Sequence, residues 1–188
     1  FSHVLSAQPT YYVDDSPMQK ECECIMFGKL KNLFSQPGIT IASPVSGMVV
    51  PLTEVPDPTF AQGILGPGAA VQPSEGRIVA PANGTVDMMF DTGHAVSMTT
   101  SEGAELLIHV GIDTVNLKGQ HYTAKCKSGD TVRKGDTLIE FDIDAIREAG
   151  YEVVTPVIVC NPDAFASVKT VDAGSVQAGD DLLTLEKK

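Results

Sequence analysis

Two of the four histidines, His94 and His109, sit in a pattern that gives them chemical interest. Residues 87–100 and 105–112 alternate apolar or β-branched with polar types, and Ser101-Glu102-Gly103 between them suits a tight turn, so the stretch reads as a β-hairpin. A turn centred between Ser101 and Glu102 pairs positions that sum to 203, which sets His94 directly opposite His109. Opposed residues on one sheet face have Cβ atoms roughly 4.5–5.5 Å apart, near enough for two imidazoles to act on one small group. Near neutral pH one ring offers a nitrogen nucleophile while its neighbour donates a hydrogen bond to incoming phosphoryl oxygens. The same two rings also suit zinc. All of this rests on register, because a slip of one residue sends the rings to opposite faces.

Alternation sorts the hairpin's faces. Leu106, Ile108, Val110 and Ile112 form the evident core side, which leaves Leu107 and His109 facing outward. On the partner strand the expected face-mates of His94 are Phe90, Thr92, Val96 and Met98, an apolar collar with one hydroxyl beside the histidines. A reactive polar centre ringed by apolar residues suits a docking surface for another protein.

The elements that must hold this pair are β-rich. From Gly38 onward, short β-prone runs are punctuated by Gly and Pro, which predicts an all-β antiparallel sandwich or flattened barrel with short helices. Helices are expected at Ile143–Ala149, ended by Gly150, and at a turn opening on Asn161-Pro162, with Asn161 as cap. Ile41-Ala-Ser-Pro44-Val-Ser-Gly47-Met-Val49 recurs 37 residues later as Ile78-Val-Ala-Pro81-Ala-Asn-Gly84-Thr-Val86. Val132-Arg-Lys-Gly135-Asp136-Thr-Leu138 recurs 44 residues later as Val176-Gln-Ala-Gly179-Asp180-Asp-Leu182. Unequal spacings indicate a motif duplicated within one domain rather than a solenoid.

With 188 residues and 43% of them hydrophobic, the chain suits one sizeable core. A formal charge of −11 argues against nucleic acid as the main ligand and favours a basic protein partner. Cys22, Cys24, Cys126 and Cys160 lack the second close pair of a zinc cluster and read as free thiols. No run of 18 apolar residues occurs, and residues 1–25 lack the pattern of a secretory signal, so a cytoplasmic location is expected. Residues 1–25 read as a disordered leader, 26–37 as an amphipathic helix with a linker, and 38–188 as the main domain. Met26–Phe34 puts apolar side chains on one side of a helical wheel and Lys29 and Lys31 on the other, which suits weak adhesion at the face of an anionic membrane.

Four blocks carry a family resemblance: SPVSGMVVPLTEVPDPTFAQGILGPGAAVQP, IVAPANGTVDMMFDTGHAVSM, GAELLIHVGIDTVNLKG and SGDTVRKGDTLIEFD. From about Met26 to the C-terminus the chain closely resembles the glucose-specific enzyme IIA family of the phosphoenolpyruvate-dependent sugar phosphotransferase system. The resemblance implies a relay from the phosphohistidine of HPr, through His109 in HVGID, to a cysteine on the IIB domain of a glucose-class sugar permease. It implies Nε2 as the accepting atom, His94 in DTGHA as the stabiliser of the transferring group, and Thr92 as the hydroxyl that orients His109. Asp57 and Asp113 match acidic positions near the family's active face, and Phe60, Ile64, Phe90 and Val96 match its exposed apolar surface for HPr, IIB and regulated enzymes or transporters. No cofactor is required on this reading, although His94 and His109 would offer zinc two ligands at a partner interface.

Two rivals come from other classes. His109-Val-Gly-Ile-Asp113 has the His-x-x-x-Asp spacing of a zinc peptidoglycan endopeptidase, but neither His3 nor His121 supplies the His-x-His element such an enzyme needs. The Gly- and Asp-rich run at 129–138 suggests a lipoyl or biotinyl carrier, yet shows no convincing modified lysine at a hairpin tip.

Overall fold

Pro and Gly at fixed offsets turn each copy of the first repeat into a strand, a corner and a second strand. In the computed structural model, which describes residues 38–188, these are β1 (Ile39–Ala42) and β2 (Gly47–Val50) in one copy. The intervening residues contribute β3 (Gly68–Pro73), and the second copy gives β4 (Arg77–Val79) and β5 (Gly84–Met89). The predicted hairpin is β6 (Ala95–Thr100) and β7 (Glu105–His109), followed by β8 (Tyr122–Ala124), β9 (Thr131–Val132) and β10 (Thr137–Phe141). The chain closes with β11 (Thr155–Val159), β12 (Phe165–Thr170), β13 (Ser175–Val176) and β14 (Asp181–Lys187). An eight-stranded sheet in the order β13-β2-β3-β11-β7-β6-β5-β9 is joined by two three-stranded sheets, β1-β14-β12 and β4-β10-β8. Every pairing is antiparallel, so the expected all-β sandwich is what forms.

The repeats answer one another across a local two-fold. Ala42 N–H donates to the Pro81 carbonyl at 3.1 Å and Val79 N–H to the Pro44 carbonyl at 2.8 Å, so the two Pro corners are cross-bonded. The second repeat obeys the same relation: Gly179 N–H donates to the Ser43 carbonyl and Gly135 N–H to the Ala80 carbonyl, each at 2.9 Å. Both Val-x-x-Gly-Asp turns are fastened alike, with Asp136 Oδ2 accepting from Arg133 N–H and Asp180 Oδ2 from Gln177 N–H, each at 2.8 Å. A shared set of main-chain bonds thus explains why the repeated Pro, Gly and Asp positions match while many side chains between them differ.

Burial follows the pleat. Ile41, Ile78, Met98, Leu106, Ile108, Leu138, Ile139, Leu183 and Leu185 belong to the main core. The central strand β11 is buried on both faces, with Val157 and Val159 in that core and Ile158 in a second, smaller cluster. Val55, Phe60, Ala70, Ile112 and Val154 complete this second cluster, with Leu107 packed against it. It gathers on the same outer face of the large sheet that Leu107 and His109 share.

Of the predicted helices, α2 covers Ile143–Glu148 with Asp142 capping Ala145 N–H, and Gly150 ends it at φ 88°. A shorter helix, α1 (Pro58–Ala61), was not anticipated. Only a 3-10 turn, Pro162–Ala164, forms at the second expected site, and Asn161 makes no side-chain cap there. Its amide instead accepts from Glu105 N–H at 3.0 Å and donates to the Gly103 carbonyl at 2.9 Å, bracing the turn between β6 and β7. The helix expected at residues 26–34 lies outside the described residues.

Close backbone approach makes the glycines of the first repeat, Gly47 and Gly84, sensitive points. A Cβ on Gly47 would lie 2.1 Å from the Gln72 carbonyl oxygen, and one on Gly84 would lie 2.2 Å from that of Thr99. Gly47→Ala and Gly84→Ala should therefore each reduce the urea unfolding free energy by about 3 kcal/mol. Gly103→Ala, with open space around it, should cost about 1 kcal/mol for its left-handed backbone. Equal losses at all three positions would contradict the steric account.

Candidate functional site

The hairpin that carries the histidines forms, but in a register one residue away from the expected one. A three-residue loop, with Gly103 at φ 87°, centres the turn on Glu102, so His109 pairs with Ala95 rather than with His94. Val96 then pairs with Ile108 and Met98 with Leu106, and both Val96 and Met98 are wholly buried in the main core. The expected apolar collar is corrected accordingly: Val96 presents no surface to a partner.

The two rings nevertheless meet. His94 lies just outside the strand, after Gly93 at φ 68°, so pleat alternation does not govern it, and its carbonyl accepts from Val110 N–H at 2.7 Å. A small residue, Ala95, opposite His109 leaves room for a diagonal approach, and the ring centroids stand 4.8 Å apart at 80°.

Each imidazole is tied down through Nδ1. His109 Nδ1 pairs with the Gly111 carbonyl oxygen at 2.7 Å; a carbonyl only accepts, so Nδ1 carries the proton and Nε2 keeps its lone pair. Gly111 can place that carbonyl because it sits at φ 80°, and a Cβ there would come 2.6 Å from the Glu152 carbonyl oxygen. His94 Nδ1 is hydrogen-bonded to Thr92 Oγ1. We assign the hydroxyl as donor, which leaves His94 Nε2–H as a donor of its own. Thr92 therefore orients His94 and not His109, correcting the expectation drawn from the resemblance.

Burial keeps both rings neutral at ordinary pH. His94, 5% exposed, is lowered from the usual value near 6.5 to about 4, first by desolvation and then by the neighbouring His109. Desolvation also lowers His109, opposed by the Gly111 carbonyl and the Asp57 and Asp113 carboxylates. Asp57 has a structural task as well: its side chain accepts from Thr59 N–H at 2.6 Å and caps α1. That helix seats Phe60 over the site, 5.3 Å between its ring centroid and that of His109. Phe60 is 5% exposed and belongs to the second cluster, so it is a packing wall rather than the exposed contact expected. Ile64 and Phe90 are exposed as expected, with Leu65 and Val115 unanticipated companions. Phe90 meets His94 edge-on at 5.7 Å. Asp113 is exposed at φ 57°.

Among the described residues no group of three His, Cys, Asp or Glu is placed to hold a metal ion. No helix among them is long and apolar enough to cross a membrane.

A pH prediction follows from the neutral pair. Because His94 titrates lower folded than unfolded, the unfolded chain binds more protons between about pH 4 and 6.5, and stability falls as pH drops through that window. Urea midpoints measured at pH 7 and 4.5 should fall further for the wild type than for His94→Gln. Parallel losses would mean that His94 is not held neutral.

Comparison with known proteins agrees with this architecture. The family model for the phosphoenolpyruvate-dependent sugar phosphotransferase system, EIIA 1, matches residues 39–165. The chain is 44% identical over 142 residues to the glucose-specific EIIA component of Oceanobacillus iheyensis, covering 76% of this chain and 86% of that one. It is 47% identical over 145 residues to the beta-glucoside-specific EIIBCA component of Bacillus subtilis, covering 77% of this chain but only 24% of that longer protein. Among solved structures, glucose permease IIA from Mycoplasma capricolum superposes with a TM-score of 0.75 at 29% identity, over 79% of this chain and 96% of that one. On sequence and fold together, the chain belongs to the EIIA 1 family of the sugar phosphotransferase system.

Proposed function

We propose that the domain is a phosphocarrier that accepts a phosphoryl group from the phosphohistidine of HPr on Nε2 of His109. It then passes the group to a cysteine on the IIB domain of a sugar permease. The observation that carries this reading is the bond between His109 Nδ1 and the Gly111 carbonyl, which leaves Nε2 as the ring's nucleophile. In the first transfer the donor's P–N bond breaks as the His109 Nε2–P bond forms, and Nδ1 keeps its proton on Gly111. His94 Nε2–H donates to the phosphoryl oxygens as their charge redistributes. A cysteine thiolate on IIB then displaces His109 and takes the group. The EIIBCA relatives, whose names join a B and a C component to the A component, support a permease IIB domain as acceptor.

Docking is assigned to the exposed apolar residues Ile64, Leu65, Phe90 and Val115. A phosphoryl group carries close to two negative charges, and beside the Asp57 and Asp113 carboxylates it would repel a partner that binds the bare face. The same face therefore serves phosphorylation-dependent docking of regulated enzymes or transporters. Zinc would find a free lone pair on His109 Nε2, would take His94 Nε2 only after that ring moves its proton to Nδ1 with Thr92 Oγ1 as acceptor, and would draw its further ligands from a docked partner.

Incubation with phosphoenolpyruvate, enzyme I and HPr should place one acid-labile, base-stable phosphate on His109, lost in His109→Ala. A phosphate retained in that variant would refute the assignment. His94→Gln should still accept the group but pass it to IIB on the order of a hundred-fold more slowly. Onward transfer at the wild-type rate would remove His94 from the mechanism.

A further inference from the structure

One side chain of a smaller sheet reaches both histidine-bearing segments of the large sheet. Tyr122 opens β8, stacks on Phe141 with centroids 6.3 Å apart, and packs against the main core. Its hydroxyl donates to the Val110 carbonyl at 3.0 Å. Val110 lies between His109 and Gly111, the two ends of the bond that orients the acceptor ring, and its own N–H donates to the His94 carbonyl. At the root of the same side chain, Cβ of Tyr122 lies so near Gly93 that a methyl there would stand 3.2 Å away. The turn carrying Thr92 and His94 is therefore bounded by the residue whose hydroxyl fixes the end of β7.

The Val110 carbonyl is held twice. Thr114 Oγ1 donates to it at 2.7 Å, in full burial, alongside the Tyr122 hydroxyl. Two donors fill both lone pairs of one oxygen, so the peptide cannot turn without stranding a half-buried phenol and a buried hydroxyl. Desolvation raises Tyr122 to about 12, so the phenol is a neutral donor throughout the neutral pH range.

We infer that Tyr122 is a positioning residue of the transfer site, a strut between sheets that sets the separation of the two imidazoles and the direction of the Gly111 carbonyl. The inference rests on the reading of His109 and His94 as a phosphoryl-transfer pair. Core packing of the ring against Phe141 would be kept by a phenylalanine, so the hydroxyl's contribution is separable from simple stability.

Tyr122→Phe, Thr114→Val and the double variant test it by three readouts: the urea midpoint, histidine ring-nitrogen NMR spectra, and single-turnover transfer from phospho-HPr. With one donor left on Val110, Tyr122→Phe should stay folded, redistribute His109 between its two neutral tautomers, and accept phosphate roughly ten-fold more slowly. The double variant should be slower than the product of the single effects, because the carbonyl then has no donor. Wild-type rate and spectrum in Tyr122→Phe would overturn the inference, as would slower transfer with an unchanged His109 spectrum. Should the wild type itself take no phosphate, the transfer reading fails, and the His109 spectrum of Tyr122→Phe still decides whether the phenol orients the ring.

Discussion

The site depends on where a single proton sits. With Nδ1 of His109 bonded to the Gly111 carbonyl, the nucleophilic lone pair is assigned to Nε2, and the ring cannot flip without leaving that carbonyl. The strand end that does this is not left to fray. Gly111 N–H donates to the Val154 carbonyl at 3.1 Å and Ile112 N–H to the Glu152 carbonyl at 3.0 Å, so the main chain beyond β7 stays anchored although the regular ladder has ended. Burial then keeps the imidazoles neutral, and the flanking carboxylates of Asp57 and Asp113 moderate the effect at His109.

That local constraint is inherited from the register of the β6–β7 hairpin. Asn161 clamps the turn at one end, and the two-fold network of Pro corners and Gly-Asp turns fixes β2 and β5 within the same sheet. Each copy of the repeat closes one end strand onto the large sheet: Val176 pairs with Gly47, and Val132 with Gly84. Short end strands of two residues leave little unpaired edge for another chain to extend. The histidine pair occupies the outer face of the resulting sheet, close to its centre, where β7 has a neighbour on both sides.

Much of this was legible in the sequence, and each failure has a physical cause. Close Gly and Pro spacing foretold the β architecture, and the repeated Pro, Gly and Asp positions marked the cross-bonded corners. Alternation placed Leu106, Ile108 and His109 on their proper faces of β7. It failed on β6 because a turn of three residues shifts the partner by one position, which sends Val96 and Met98 inward. His94 and His109 still meet because His94 stands outside the pleat, a circumstance for which Gly93 was the only sequence signal. Thr92, two residues before His94, is near enough in sequence to bond its ring, so its true partner was within reach of a local argument. Phe60 was assigned to the docking surface by the resemblance, and its position in a Pro-rich stretch gave no sign of the second cluster that receives it. The bond from Asn161 to the hairpin turn spans more than fifty positions in sequence and lies beyond any local pattern.

The central claim is that Gly111 decides which nitrogen of His109 reacts. Nitrogen-15 NMR of the phosphorylated protein, with the phosphorus coupling assigned to one ring nitrogen, tests it directly. The account requires the phosphoryl group on Nε2, with Nδ1 still protonated and bonded to Gly111. A phosphoryl group on Nδ1 would contradict it.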